Sequence, residues 1–259
     1  MATKRDGYHE NEHSILYAET GGCCPLCKLP ILFQKNGSKK PTKGYEIAHI
    51  YPLNPTLFQT LVLVNYPAPS AINALDNVIA LCPTCHTKYD KDFKLEELIR
   101  LREIKNGYLS DALAKRTASQ HNIQEGVYEI LDAIAAFDFE DAQFPPTKFE
   151  ISTMDKKLKT GMSPLQKNEI KVNAINFYVR IRDHIRRLEQ KDQATVRILQ
   201  NQINSYYLEM NKQNPENKDL VFNYVAEWIS TKANKPILAA KVLTSFFVQN
   251  CEVFDVGSE

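Results

Sequence analysis

No apolar run in this 259-residue chain approaches the ~20 residues a membrane-spanning helix needs. Membrane insertion is not expected. The opening stretch MATKRDGYHENEHSILYAE has no apolar segment of signal-peptide type. Export is therefore not expected either, and a cytoplasmic location is. Charge of one sign is also missing: 32 Lys and Arg face 31 Asp and Glu, a net of +1, well short of a stand-alone DNA-coating protein. Internal repeats and low-complexity tracts are absent. With 43% hydrophobic and 24% charged residues, the chain reads as ordinary globular material, long enough for one large core or two modest ones. In a reducing compartment, paired cysteines more often bind metal than form disulfides.

The near-zero net charge hides an uneven distribution. Residues 119–150 carry one lysine against seven acidic residues, whereas 1–118 come to +3 and 151–259 to +4. Three zones follow. Residues 1–118 hold five of the six cysteines and four of the six histidines. Here short apolar runs are broken by turn signals such as KNGSKKPTKG and NYPAPS, until a helical run begins near Lys94 with Leu95, Leu98, Ile99 and Leu101 at helical spacing. Residues 119–165 read as an acidic helix and a linker containing Pro-Pro and Gly-Met-Ser-Pro. Residues 166–259 read as helices over 166–190, 193–211, 217–232 and 236–249. The expected fold is α+β: a small zinc-bound domain followed by a mostly α-helical one.

Cys24-Pro25-Leu26-Cys27 and Cys82-Pro83-Thr84-Cys85 are two Cys-x-x-Cys knuckles, 54 residues apart. Each presents two thiolates from one turn, and together they complete a tetrahedral zinc sphere. With four sulfur ligands such a site is closed and structural. Cys23 has the wrong offset for a knuckle and is left unligated. The alternative, buried free thiols or a redox pair, accounts less well for two knuckles with proline at the same place.

Between and after the knuckles lie Glu46-x-Ala48-His49-Ile50-x-Pro52 and Asp76-Asn77-x-x-x-Leu81-Cys82-x-x-Cys85-His86-x-x-x-Asp90. With the first knuckle, these motifs make residues 20–92 resemble HNH endonucleases of the treble-clef, ββα-metal type. The resemblance implies phosphodiester hydrolysis of DNA with His49 as general base. It also implies Asn77 tying the loop and helping to orient the base, and His86 and Asp90 reaching one catalytic divalent cation, Mg2+ or Mn2+. A neutral imidazole suits the base, since it accepts a proton at cellular pH. Residues four apart on a helix share a face, which lets His86 and Asp90 act together. Many members carry an aspartate or histidine ligand directly before the catalytic histidine; here that position is Ala48. Glu46, on the same side of the strand, is either the missing carboxylate, directly or through water, or a residue at the strand's solvent edge. Lys88 and Lys91 can meet phosphate or simply face solvent.

The C-terminal stretches NEIKVNAINFYVRIRDHIRRLE and FFVQNCEVF resemble the C-terminal domain of effectors in bacterial ABC-three-component defence systems. That resemblance implies partners: an ATPase and a small middle component, met through the helical domain. Trp228, Tyr206, Tyr207 and Tyr224 are expected to pack in its core. The tail, with Phe247 and Phe254 as anchors, is expected to be part core and part interface, or else wholly core. A metal-dependent DNA endonuclease of a defence system is the expected function. The competing class is a non-catalytic zinc-ribbon nucleic-acid-binding or adaptor module, which Ala48 favours.

Overall fold

The computed structural model describes residues 7–137 and 161–249, which form two compact units dividing between Leu113 and Ala114. The first unit begins with helix α1 (Glu10–Glu19), whose Leu16 is fully buried. Gly21 and Gly22, both at positive φ, turn the chain toward the first knuckle. A β-carbon on Gly22 would stand 2.8 Å from the Tyr17 hydroxyl, so glycine suits that turn on space as well as on backbone. Strands β1 (Leu32–Gln34) and β2 (Pro41–Lys43) form a short antiparallel hairpin. A second antiparallel pair follows, β3 (Glu46–His49) with β4 (Val78–Leu81), in the register Glu46↔Leu81 and His49↔Val78. Helix α2 (Leu57–Val62) and a 3-10 turn (Leu75–Asn77) lie in the long connection between them.

All four residues of β4 are fully buried, so this strand is covered on both faces. It forms the centre of a core with Ile31, Ile47, Ala48, Ile50, Leu98 and Leu101. Helix α3 (Pro83–Lys91) packs on β3, and α4 (Leu95–Gln120) supplies Leu98 and Leu101 from one stripe. Lys105 continues that stripe one turn on, only 1% exposed, and its Nζ lies 2.5 Å from Glu19 Oε2 on α1. A buried charge of this kind persists only when paired.

The second unit is helical: α5 (Gly126–Ala135), α6 (Pro164–Lys191), α7 (Gln193–Gln213), α8 (Lys218–Ala233) and α9 (Ile237–Gln249), with the end of α4. The four helices expected here occur to within two residues at each end. The breaks have local causes. Ser163 caps α6 ahead of Pro164, Asp192 accepts the Ala194 N–H at 2.9 Å to start α7, and Asn234, at positive φ, ends α8. Acidic α5 turns Val127, Ile130, Leu131 and Ile134 into the helical core. Residues 138–160, most of the expected linker, lie outside the described residues.

Trp228 stacks on Tyr206 with ring centres 4.6 Å apart, and both are buried together with Tyr207 and Tyr224. Phe247 corrects one expectation. It is 1% exposed and packs edge-on against Phe246, so it belongs to the core and has no surface to anchor a partner. Phe254 lies outside the described residues. Among those residues, no helix is long and apolar enough to cross a membrane.

Candidate metal centre and active site

The first knuckle is a tight turn. Cys24 N–H donates to Leu29 O and Lys28 N–H to Cys24 O, both at 2.8 Å, with Lys28 at positive φ (63°). The second knuckle is also the start of α3: Cys82 is the N-cap, Pro83 occupies the first turn, and the Cys82 sulfur accepts the Cys85 N–H at 3.5 Å. Cys82 N–H in turn donates to Cys24 Sγ at 3.5 Å.

The four sulfurs of Cys24, Cys27, Cys82 and Cys85 lie within 4.8 Å of one another, and Cys23 is not among them. The Cys27 and Cys82 sulfurs are 3.7 Å apart. A tetrahedron with bonds of about 2.3 Å has an edge of about 3.8 Å, so the set fits a zinc ion. The thiol chemistry agrees. Burial opposes ionisation of Cys24, yet backbone N–H groups of Cys27, Cys82 and Leu26 outweigh it and bring the thiol down to about 7. Burial pushes Cys82 and Cys85 up, and neighbouring thiols push Cys85 further. Sulfurs this close ionise together when a cation sits among them.

Beside the knuckle, α3 turns His86 and Tyr89 inward. His86 is gripped at both nitrogens: Nδ1 lies 2.6 Å from Glu46 Oε2 on β3, and Nε2 lies 3.2 Å from Asp90 Oδ2 one helical turn on. Glu46 and Asp90 are both half-exposed, so their carboxylates reach solvent while the ring does not. Ala48 is fully buried and opposite Ile79, which makes that strand position part of the core. Tyr89 donates its hydroxyl to Ile50 O at 2.6 Å, and burial drives its phenol upward. This bond fixes the backbone one residue beyond His49.

His49 ends β3 and is 9% exposed. Its Nε2 lies 2.9 Å from Asn73 Oδ1. Asn77 accepts the Tyr51 N–H at 2.9 Å and donates to Tyr51 O at 3.2 Å and Ile72 O at 2.9 Å. Its side chain thus pairs with backbone on both sides of the long connection, and the group on the imidazole is Asn73. Sequence reasoning did not single out Asn73 or Tyr89. The only local hint was a second asparagine four residues before Asn77. Lys88 and Lys91 line a groove on the outer side of α3 with Pro83, Thr84, Thr87 and Asp92.

Comparison with known families agrees with this division of the chain. The model of the HNH endonuclease family matches residues 24–92. That of C-terminal domain 11 of the ABC-three component (ABC-3C) systems matches residues 114–254, more than half of the chain. A search among curated proteins finds no match. The chain therefore belongs to the C-terminal domain 11 family of ABC-3C systems and carries an HNH endonuclease domain ahead of that domain.

Proposed function

We propose that the protein is a metal-dependent DNA endonuclease and the effector of an ABC-3C defence system, with His49 as general base. The observation that carries this reading is the His86 constellation. A histidine held at Nδ1 by Glu46 presents Nε2 to Asp90 at 3.2 Å, close to the spacing of about 3 Å between adjacent ligands of an octahedral Mg2+. His86 and Asp90 would hold the divalent cation, and Glu46, already on the other ring nitrogen, orients the ring as outer-shell carboxylates do. Bound there, the cation supplies charge neutralisation for the scissile phosphate and the departing oxygen.

The rest is done by the chain's own groups. Asn73 Oδ1 accepts the Nε2 proton, which leaves Nδ1 as the basic nitrogen of His49. That nitrogen takes a proton from the attacking water. Asn77 and Tyr89 hold the backbone on either side of the imidazole, through Tyr51 and Ile50. They act as positioning residues. The four-cysteine site, holding zinc, is structural and anchors α3. The helical domain is read as the surface that meets an ATPase and a small middle component, and the match to ABC-3C systems supports that assignment.

Nicking of supercoiled plasmid tests the reading. Full-length protein with Mg2+ or Mn2+ should cut, EDTA should stop it, and His49→Ala should cut about 100-fold more slowly or worse with zinc content unchanged. Undiminished cutting by His49→Ala overturns the assignment of the base.

A further inference from the structure

We propose that the outer face of α2 is a docking surface for the same face of a second copy of this chain. Leu57 (88% exposed), Phe58 (63%), Leu61 (76%) and Val64 (78%) are the relevant side chains. Positions 57, 61 and 64 are four and three apart and so fall on one stripe, with Phe58 beside it. The helix presenting them is well fixed. Thr56 and Gln59 form a reciprocal capping box, and Leu63 on the opposite side is 3% exposed within the core of the first unit. These apolar groups face solvent from an ordered element, which is the usual sign of an interaction surface.

Charge decides the occupant. From Ile50 to Leu75, 26 consecutive residues include no Asp, Glu, Lys, Arg or His. A surface that meets phosphates needs cations, and one that lies on an anionic membrane needs a basic flank. A charged protein partner would be met by opposite charges. A two-fold contact instead sets each residue against its own copy, so any charge near the axis would face itself. An apolar stripe in a charge-free segment satisfies that requirement. A net charge of +1 also leaves little long-range repulsion between copies. Four such side chains offer on the order of 500 Å2 per copy, or about 1,000 Å2 for the pair, near the lower bound for a specific contact. The dimer is therefore weak and reversible. This inference does not depend on catalysis.

Sedimentation velocity of the full-length, zinc-loaded protein from about 1 to about 100 µM tests it. That range brackets a micromolar association. The expected result is a rise from monomer to dimer with concentration. Leu57→Glu/Leu61→Glu should stay monomeric across the range, its dissociation constant at least about tenfold higher, with unchanged zinc content and circular dichroism. Leu57→Met/Leu61→Met should still dimerise. A reading that needs no variant is salt. Raising it from roughly 0.05 to roughly 0.5 M should leave the wild-type dimer intact, since no charges are screened. A wild type monomeric throughout, a dimer that salt dissolves, or one that the glutamates leave intact overturns the proposal. A monomeric wild type whose DNA affinity falls in the glutamate variant assigns the face to nucleic acid and overturns it as well.

Discussion

Replacing Lys105 by methionine keeps the length and apolar bulk of the side chain and removes its charge. In the wild type, Lys105 and Glu19 are 1% and 10% exposed and 2.5 Å apart. At an effective dielectric of about 20, unit charges at that distance attract by roughly 7 kcal/mol. Removing each ion from water costs several kcal/mol, so the intact pair contributes little net stability. The single variant is different: Glu19 stays buried with its attraction gone, and such breakage costs about 3–5 kcal/mol. Against a typical domain stability of about 5–15 kcal/mol, that is a large fraction. Urea unfolding read by zinc release reports the first unit, because zinc ligands and ion pair belong to it. The sole tryptophan, Trp228, reports the helical unit by its fluorescence. Lys105→Met should lower the midpoint of zinc release by an amount equivalent to about 3–5 kcal/mol. Lys105→Met/Glu19→Met should recover most of it, because no stranded charge remains. A loss below about 1 kcal/mol in the single variant, or a double variant no better than the single one, refutes the reasoning.

Three further outcomes follow from the first unit. Cys24→Ser or Cys85→Ser should lose the zinc and unfold this unit, while Cys23→Ser keeps about one zinc per chain by elemental analysis; full zinc in Cys85→Ser would remove it from the ligand set. Glu46→Ala should weaken Mn2+ binding about tenfold by titration with zinc unchanged, as loss of an outer-shell carboxylate does; an unchanged affinity returns Glu46 to the role of a solvent-edge residue. Asn73→Asp sets a carboxylate beside His49, which favours the imidazolium and raises its pKa. Since the base must be neutral to work, the rising limb of the pH–rate profile should move to higher pH, and a limb that stays put shows that Asn73 does not face the base.

What was legible in the sequence was what is local or periodic. Two Cys-x-x-Cys turns need only four residues each, so the zinc ligands were readable, as was the shared face of His86 and Asp90. Strand alternation placed Glu46 correctly on the side of position 48, but nothing local could show that its carboxylate meets His86 Nδ1, 40 residues away. Asn73 and Tyr89 were missed for the same reason: their partners, His49 and Ile50, come from a strand that folding brings to them. Lys105 occupies a core position on the stripe of α4, yet pattern reading sends lysine to solvent because its partner on α1 is invisible. Phe247 failed in the other direction. An apolar helix that is buried and one that is sticky look alike until its neighbours α6 and α8 are in place.

The double use of Cys82 constrains how this protein can vary. Residues 82–90 hold a helix cap, two zinc ligands, the ring pinned between Glu46 and Asp90, and the hydroxyl that fixes Ile50. An insertion or deletion of one residue there would rotate everything downstream by about 100° around the helix axis and uncouple the metal-binding turn from the catalytic face. The 28 residues between β3 and β4 carry no such lock along most of their length. Length changes should therefore be absorbed in that connection, and the nine-residue block should behave as a single indivisible part when the domain is transplanted or redesigned.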